Sequence, residues 1–308
     1  MRVIRHIEDA APPLRGPVVT LGNFDGVHRG HREILTRVAT AAHGDGGDAV
    51  AFTFFPHPAA VLAPDKAPSA IVSLRDRLEL FREIGIDVAV VQHFTRRFSE
   101  LSPEEFVERY LVRAIGARRV IIGHSVSFGR GRRGSAETLQ ECGKRFGFEV
   151  EIVGPVSVDG IIVSSTEVRR RIREGDFALV TRLLGHPYAV SGRVVSGERR
   201  GTGLGFPTAN VRPRIPLLAP DGVYAVRVVV DDRRVCGIAN LGRNPTFGAG
   251  RPRGLEAHLF DFDGDLYGRW IRVELVERIR EERRFESPEA LVEQIRRDVA
   301  RARALLLQ

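Results

Sequence analysis

The chain has few cysteines and no long apolar run. Its two cysteines, Cys142 and Cys236, lie far apart in 308 residues without CxxC spacing, so nothing supports a disulfide scaffold or a zinc ribbon. No stretch approaches the roughly 18 apolar residues that a membrane span needs. The first residues, MRVIRHIEDAAPP, lack the apolar core of a signal peptide. We therefore expect a cytoplasmic protein without a membrane partner.

Positive charge is in excess, with a formal net charge of +8 that comes mostly from arginines in short clusters, such as 130–133 and 169–171. A nucleic-acid-binding chain more often carries a dense basic tail or stripe with interleaved aromatic residues. Mono- or dinucleotide ligands explain the same charge, as does a GC-rich genome that favours arginine over lysine. We expect small anionic ligands and no nucleic acid; the sequence indicates no oligomeric state.

The segment from Val18 to Leu35 predicts a strand, a glycine turn and a helix start in close succession. The strand Val18–Leu21 breaks at Gly22, and the helix that follows can turn Ile34 and Leu35 toward a core. The free N–H groups and the positive dipole end of such a helix favour an anion. His28 and His31, three residues apart, are expected to stack on one helix face, and Gly30 lets another group approach the backbone.

Three interpretations of this segment are open. The histidines can donate hydrogen bonds to an α-phosphate or a departing pyrophosphate, or they can simply cap an ordinary helix. A zinc site is a third option, but no third ligand lies nearby in the sequence. The strand, the glycine turn and the preceding Asn23-Phe24-Asp25-Gly26 favour the phosphate cradle.

The first half of the chain alternates apolar strands with helices. Further strands are predicted at 48–54, 88–92, 118–123, 149–153 and 161–163, and helices at 74–81, 103–115 and 135–146. The prolines of the segment 55–58 are expected to end the first of these strands in a loop. Such alternation predicts an α/β fold with a mostly parallel, doubly wound sheet.

Ligands of doubly wound sheets bind beyond the carboxyl ends of the strands. Four segments are expected at that edge: 22–31, 54–58, 123–134 and 164–169. The last is a hydroxyl-rich helix start, Ser164-Ser165-Thr166, with Arg169 one turn into the helix. Their convergence predicts a single binding site in the first half.

From Tyr188 the pattern changes to short strands, predicted at 188–195, 223–230, 235–241, 255–260 and 270–276. Turns rich in Gly, Asp and Arg separate them, which is typical of a small antiparallel barrel. A C-terminal helix is expected after Ser287, with an apolar face of Leu291, Ile295, Val299, Ala302 and Leu306. We therefore predict two domains, residues 1–185 and 186–308.

The stretch 197–210, GERRGTGLGFPTAN, contains four glycines, and the backbone N–H groups of such a loop could wrap phosphates. It ends in Thr208 and Asn210, whose hydroxyl and amide oxygens are hard ligands of the kind that Mg²⁺ takes. A glycine-rich hairpin loop with a polar end is the alternative. The stretch 240–247 and Glu256 on a predicted strand favour the binding site.

Together these motifs resemble the prokaryotic bifunctional riboflavin kinase/FAD synthetase family over essentially the whole chain. The first half resembles the FMN adenylyltransferase module, a nucleotidyltransferase, in G-x-F-D-G-x-H-x-G-H at 22–31, in 54–58 and in S-S-T-x-x-R at 164–169. The second half resembles the riboflavin kinase module in GFPTAN at 205–210, PDGVY at 220–224, NPTFG at 244–248, Glu256, DLYG at 265–268 and the run 280–285.

The resemblance implies two successive reactions with ATP as co-substrate: riboflavin becomes FMN, and FMN becomes FAD with release of pyrophosphate. For the kinase it implies that Glu256 accepts the proton of the riboflavin hydroxyl and that Thr208 and Asn210 hold Mg²⁺. The attacking phosphate of FMN is largely dianionic and needs no base. Charge screening by His28, His31 and Arg169 would then carry the second reaction.

The resemblance also implies which residues bind each substrate. For the nucleotide these are Gly22, Asn23, Phe24, Asp25, Gly30, Ser164, Ser165 and Thr166 in the first half, and Gly197, Gly203 and Gly205 in the second. For the flavin they are Phe54, Pro56, His57, Pro58, Ser125, Phe128 and Arg280.

One segment departs from the family. Where the adenylyltransferase module commonly shows G-x-D/N-F-x-F-G, residues 123–129 read GHSVSFG, so Ser125 is shorter and Val126 replaces an aromatic side chain. Loss of an aromatic contact costs about 1 kcal/mol of binding. Two alternatives stay open: a first domain with reduced or altered flavin or nucleotide specificity, and a flavin-binding regulator that holds nucleic acid.

Overall fold

The computed structural model describes residues 1–5, 7, 13–197, 205–231, 233–242 and 253–307. The chain forms two compact units, the first of Met1–Pro68 and Leu74–Ser164, the second of Ser69–Ser73 and Ser165–Gln308. The contacts therefore divide the chain between residues 164 and 165, and residues 165–185 pack with the second half. The predicted functional boundary after residue 185 stays a prediction.

The first unit contains a six-stranded sheet in which every pairing is parallel. Its strands are β1 (Arg2–Arg5), β2 (Val18–Leu21), β3 (Ala49–Phe55), β4 (Val88–His93), β5 (Arg119–Gly123) and β6 (Glu149–Val153), in the order β1-β4-β3-β2-β5-β6. The predicted doubly wound sheet is confirmed. The sequence did not indicate β1, because this largely exposed edge strand lacks the apolar run of the central strands.

The helices of the first unit are α1 (Arg29–Gly44), α2 (Pro58–Leu62), α3 (Leu74–Ile84), α4 (Arg96–Ser99), α5 (Pro103–Phe106) and α6 (Ala136–Phe146). A π-helix, Val107–Ile115, continues α5 directly. Ser102 and Ser135 begin α5 and α6 with capping boxes, as the sequence predicts for Ser102. Most helices of the first half therefore follow from local capping and apolar spacing.

Both faces of the sheet are buried. Val19, Phe52 and Ile122 point to the layer that holds the π-helix and α6, whereas Ala51, Ala89 and Ile121 point to the layer that holds α1 and α3. Burial on both faces explains why these strands read as continuous apolar runs rather than as alternating patterns.

The predicted strand 161–163 is wrong as a member of this sheet. Ile161–Ile162 (β8) pairs only with Ser157–Val158 (β7), in a two-stranded antiparallel hairpin. The hairpin turns at Asp159 and Gly160, both with positive φ (52° and 76°), which is the conformation of the tight hairpin turn that Asp-Gly favours. Residues 164–169 therefore do not follow a strand of the parallel sheet.

The strand order places one crevice at the carboxyl edge of the sheet. The chain passes from β2 to β3 and β4 on one side, then returns to β5 on the other side of β2. Ligands of such sheets bind where the order reverses. The segments that follow β2 and β5, beginning at Gly22 and Gly123, lie at that point. The end of β5 runs close to α1, because a Cβ on Gly123 would lie 3.2 Å from the side chain of Ile34.

The second unit begins with α7 (Ser165–Glu174) and α8 (Phe177–Leu184) and continues as a closed six-stranded antiparallel barrel. Its strands are β9 (Ala189–Val195), β10 (Ala209–Pro213), β11 (Gly222–Val230), β12 (Arg233–Gly242), β13 (Gly254–Leu259) and β14 (Trp270–Arg280), in the order β10-β13-β12-β11-β14-β9. The predicted barrel is confirmed. The sequence indicated neither α8 nor β10. It assigned Ala209 and Asn210, the first residues of β10, to the end of a glycine-rich loop.

The C-terminal helix α9 (Pro288–Leu306) packs on the barrel as predicted, with Ser287 as its cap. Ala302 and Leu306 are buried against Val223 and Ile238 of the barrel, and Ile295 and Val299 pack beside them, whereas Leu291 is only partly buried. Among the described residues, no helix combines the length and apolar character needed to cross a membrane.

A buried ion pair ties α9 to β14, because Arg280 Nε lies 2.8 Å from Asp298 Oδ2. Asp298 is 2% exposed and also accepts a hydrogen bond from Gln294. Arg280→Ala would leave this carboxylate buried without its cation, so we expect urea unfolding to show a loss of about 3 kcal/mol. Arg297→Ala, which removes an exposed helix-surface pair with Glu293, is the control and should cost about 0.5 kcal/mol or less. Equal losses in the two variants would contradict the prediction.

Candidate functional site

The first site is the segment Gly22–His31, a tight turn between β2 and α1. Phe24 and Val27 both have positive φ (49° and 42°), which is uncommon for residues with a side chain and a real strain for β-branched valine. Phe24, Asp25 and Val27 are all buried, so the surrounding core holds the strained turn in place. A Cβ on Gly22 would lie 3.1 Å from the Phe24 ring. Glycine at position 22 therefore lets this ring fold back over the turn.

The two histidines stack as the spacing predicts, with ring centroids 3.6 Å apart and planes inclined by 16°. His28 is the N-cap of α1, and its Nδ1 accepts a hydrogen bond of 3.3 Å from the backbone N–H of His31. Since Nδ1 accepts, neutral His28 carries its proton on Nε2 and can donate it. The capping interpretation is thus correct for His28.

Gly30 permits this stack, because a Cβ there would lie 3.3 Å from the His28 ring. The same Cβ would lie 4.0 Å from the carbonyl oxygen of Val163. The chain that leads into Ser164 therefore runs beside the start of α1.

His31 is held in its neutral form. Burial lowers its pKa well below 6.5, and the charges of His28 and Arg77 lower this pKa further. Its Nδ1 and the Oδ1 of Asn23 are buried without hydrogen-bond partners among the described residues, and unsatisfied polar atoms of this kind are candidates for ligand contacts. His31 thus offers hydrogen bonds rather than positive charge.

The lowered pKa of His31 makes the stability of the protein depend on pH. The unfolded chain takes up a proton on this residue below about pH 6.5, whereas the folded chain does so only at lower pH. Stability is therefore highest above about pH 6.5 and falls as the pH is lowered toward the folded-state pKa. We expect urea unfolding at pH 7.5 and 5.5 to show a larger loss for the wild type than for His31→Gln. Equal losses would contradict a neutral, buried His31.

Two side chains support this turn from below. Arg77 of α3 donates through Nη1 to Thr53 Oγ1 (3.2 Å), and Thr53 donates to the carbonyl oxygen of Asn23 (3.4 Å). Burial lowers the pKa of Arg77, while the nearby charge of Asp25 raises it. The sequence analysis missed both residues, but Arg77 carries a signal: it lies three residues after Leu74 and four before Phe81, on the apolar stripe of its helix.

In the predicted flavin-binding segment 54–58, the side chain of Phe54 packs against other aromatic rings. Phe54 contacts Phe52, Phe94 and Phe98 at centroid distances of 5.5–5.8 Å. Pro56 follows a cis peptide bond, and His57 caps α2 by accepting a hydrogen bond from the N–H of Ala59. The prediction of a loop is wrong from Pro58 onward, because proline suits the first position of a helix and α2 begins there.

The loop after β5 keeps a defined shape despite its unusual sequence. Phe128 is buried against Phe106, and its backbone exchanges two hydrogen bonds with Gly134 (3.1 and 2.9 Å). Val126 packs on the core of the first unit, whereas Ser125 is exposed. Of the two predicted flavin-binding residues in this loop, Phe128 therefore supports the loop from inside, and Ser125 is the one that solvent reaches.

The structure does not bring the whole S-S-T-x-x-R motif into the first unit. Ser164 is the last residue of that unit, while Ser165, Thr166 and Arg169 belong to the second, where Ser165 begins α7. Arg169 is buried, and its Nε donates to the carbonyl oxygen of Ser69 (2.8 Å). It thereby holds the segment Ser69–Ser73 to α7. A catalytic role of Arg169 stays a prediction.

The second site is a row of polar side chains across three barrel strands, with Thr208 beside it. Asn210 of β10 pairs with Glu256 of β13, and Glu256 pairs with Asn240 of β12. Directly opposite residues have Cβ atoms about 4.5–5.5 Å apart. The neighbouring positions Val211, Leu255 and Leu241 are buried, so the row lies on the outer face of the barrel wall. Glu256 thus lies between two amides.

A second carboxylate lies at the end of this row, because Asn240 Nδ2 donates to Glu282 Oε1 (2.9 Å). A Cβ on Gly242 would collide with the same carboxylate, which shows how closely Glu282 approaches the strand. Sequence reasoning missed Glu282, which lies inside the run 280–285.

The backbone at Gly197 passes against Asn210, since a Cβ on Gly197 would collide with the side-chain amide of Asn210. Thr208 directly precedes β10, and the neighbouring Pro207 carbonyl lies 2.8 Å from His258 Nδ1. Gly205 has a φ of 83° and ends the loop. Gly203 and the motif 244–248 lie outside the described residues.

The donor set of the second site suits a hard cation. Thr208 and Asn210 offer a hydroxyl and an amide oxygen, the kind of ligand that Mg²⁺ accepts beside phosphate and water oxygens. Over the described part of the chain, no three His, Cys, Asp or Glu side chains gather in a way that could hold a metal ion. Because Thr208 and Asn210 supply oxygen donors, the residues present at the second site fit magnesium with phosphate and water oxygens as its other ligands.

Arginines brace the P-D-G-V-Y motif of the second unit. Arg253 donates to the Asp221 carboxylate and to the carbonyl oxygens of Leu217 (2.8 Å) and Ala219, and Arg278 donates to the Asp221 carbonyl oxygen. The Tyr224 hydroxyl donates to Pro220, and burial raises the pKa of this tyrosine to about 12. The predicted flavin-binding Arg280 is the partner of Asp298 described above, which gives it a structural contact.

Comparison with known proteins covers the same two halves. The family model of FAD synthetase matches residues 11–167, and the family model of riboflavin kinase matches residues 184–306. A crystal structure of a protein from Streptococcus pneumoniae, described as a macrolide-efflux protein, superimposes with a TM-score of 0.86 at 33% identity, covering 98% of this chain and 99% of that one.

Curated relatives extend over nearly the full length. The bifunctional riboflavin kinase/FMN adenylyltransferase of Escherichia coli (strain K12) is 40% identical over 305 residues, which is 98% of this chain and 97% of the relative. The protein of the same description from Pseudomonas fluorescens is 42% identical over 308 residues, which is 99% of this chain and 98% of the relative. The chain therefore belongs to the bifunctional riboflavin kinase/FMN adenylyltransferase family.

Proposed function

We propose that the second unit phosphorylates riboflavin to FMN and that the first unit transfers an adenylyl group from ATP to FMN, giving FAD and pyrophosphate. The observation that carries this proposal is the row Asn210–Glu256–Asn240, in which one carboxylate lies between two amides and the backbone at Gly197 passes against Asn210. The first unit has its own anion-binding turn with stacked histidines. Each proposed reaction thus has a separate set of residues.

For the kinase reaction, Glu256 accepts the proton of the attacking 5′-hydroxyl, because a neutral hydroxyl becomes a better nucleophile as it loses its proton. Asn210 and Asn240 lie directly opposite Glu256 on the two neighbouring strands. Thr208 and Asn210 would hold Mg²⁺, which neutralises charge on the ATP phosphates when bound. Gly197 allows the backbone at the end of β9 to pass close to Asn210.

For adenylyl transfer, the attacking group is the FMN phosphate, which needs no general base. His28 and the neutral His31 donate hydrogen bonds to the α-phosphate and to the leaving pyrophosphate, and the start of α1 adds backbone N–H groups. Ser164, Ser165, Thr166 and Arg169 are proposed to contribute donors and charge, as the family motif implies. We also propose a cytoplasmic location and no nucleic-acid partner.

The test is incubation of the purified full-length chain with riboflavin, ATP and Mg²⁺, with the products separated by chromatography. We expect FMN to form first and FAD to follow. Absence of FMN would contradict the kinase proposal. FMN that is never converted into FAD would contradict the adenylyltransferase proposal alone.

An altered specificity of the first unit is a second candidate, favoured by the exposed Ser125 where the family commonly has Asp or Asn. A shorter side chain at an exposed position of the loop after β5 would change the contacts that this loop offers to the flavin or its phosphate. Competition among ATP, CTP and GTP in the FAD-forming assay separates the two candidates. We expect ATP to be preferred, and equal use of CTP would support the altered enzyme.

A further inference from the structure

One charged side chain is buried beneath the first site without a full set of partners. Arg77 is 5% exposed, and its Nε has no hydrogen-bond partner among the described residues. An apolar residue on this helix stripe would avoid the cost of a buried, unsatisfied donor. Packing alone therefore does not explain an arginine at this position.

The contacts of Arg77 lead to the strained turn. Its guanidinium donates to Thr53 Oγ1, and the hydroxyl of Thr53 donates to the carbonyl oxygen of Asn23. Thr53 is fully buried on β3, so this two-step connection is shielded from water. Asn23 directly precedes Phe24, where the backbone first takes its positive φ.

The charge of Arg77 acts on the same turn. The charge of Asp25 raises the pKa of Arg77. The charges of Arg77 and His28 lower the pKa of His31. The charged and titratable groups that act on His31 are thus His28 at the start of α1 and Arg77 on α3, with Asp25 in the turn acting on Arg77. The positive charge of Arg77 therefore helps to keep the His31 ring neutral.

We propose that Arg77 is a positioning residue for adenylyl transfer, which fixes the turn carrying His28 and His31 through its hydrogen bond to Thr53. This inference rests on the proposed function of the first unit. Arg77 itself touches no reacting group. Its loss would let the turn relax and would move the histidine donors away from the phosphates, and displacements of about 1 Å can reduce rates strongly.

The experiment compares Arg77→Met, Arg77→Lys, Thr53→Val and Thr53→Ser in the full-length chain. We expect Arg77→Met and Thr53→Val to lower kcat for FAD formation by about tenfold or more, with a smaller change in KM for ATP. Arg77→Lys and Thr53→Ser should recover much of the loss, because the first keeps the charge and the second keeps the hydroxyl. Arg82→Met, on the exposed side of the same helix, is the matched control.

Two further readouts separate positioning from a general loss of fold. Riboflavin kinase activity, which depends on the second unit, should stay within about twofold of wild type in every variant. In an NMR titration, the His31 ring should titrate at higher pH in Arg77→Met, because a repulsive charge is gone, but not in Thr53→Val.

Wild-type kcat in both Arg77→Met and Thr53→Val would overturn the proposal. Parallel loss of both activities in Arg77→Met would indicate misfolding of that variant, and the Thr53→Val and Thr53→Ser pair then decides. If the wild type forms no FAD, the proposed function fails. The inference then fails with it, so the two failures are distinguished by whether the wild type forms FAD.

Discussion

Glu256→Gln is expected to abolish FMN formation from riboflavin while FAD formation from supplied FMN continues. Glutamine keeps the size and the cross-strand position between Asn210 and Asn240, but it cannot accept the hydroxyl proton. Loss of a positioned general base lowers rates by about 10²–10⁴-fold. The measurement is the initial rate of each reaction with its own flavin substrate, followed by chromatography.

The control for this variant is Glu277→Gln. Glu277 is an exposed carboxylate on β14 that pairs with Arg301 at 3.3 Å, so its replacement should leave both rates near wild type. A kinase rate in Glu256→Gln within tenfold of wild type would show that this carboxylate is not the proton acceptor. Loss of both activities would instead point to damage of the fold.

His28→Ala is expected to produce the opposite pattern, with FAD formation lost and FMN formation retained. The substitution removes the stacked ring, the cap that accepts from the His31 N–H, and the Nε2 donor. Removal of one preorganised donor to developing negative charge typically costs about 10²–10³-fold in kcat. Loss of the cap costs about 1 kcal/mol of stability in addition. The rate of FAD formation from FMN and ATP is the measurement.

His43→Ala is the matched control for His28→Ala, because His43 lies in the last turn of the same helix, half exposed and paired with Asp87. A surface pair of this kind contributes little, so both activities should persist. If FAD formation survives in His28→Ala at more than a tenth of the wild-type rate, the histidine turn is not the adenylyl-transfer site. Selective loss of one activity in each variant would assign the two reactions to separate sites.

Much of the first site could be predicted from sequence because its signals are local. A strand, a glycine and two histidines with helical spacing specify a βα turn, and stacking of His28 on His31 follows from a separation of three residues. The support beneath the turn could not be predicted in this way. Thr53 lies 30 residues after Asn23, and Arg77 lies 24 residues after Thr53, so no local spacing connects them.

The second site shows the same division. Thr208, Asn210 and Glu256 were identified by residue type and family motif, but their alignment with Asn240 depends on the register of three barrel strands. The link from Asn240 to Glu282 joins residues 42 positions apart. No local pattern predicts such a link, since register is chosen by which apolar sets face the core.

The sequence by itself determined the parallel sheet, the barrel and the C-terminal helix, because apolar periodicity, caps and turn residues act over short separations. It also indicated where the histidine turn begins, after Leu21. Only the tertiary structure decided that the strand at 161–162 leaves the sheet, that Arg169 binds the Ser69 carbonyl and that Arg77 lies beneath the histidines. These outcomes depend on contacts between segments that are distant in the sequence. Such contacts form only after folding has brought the segments together, so no local pattern predicts them.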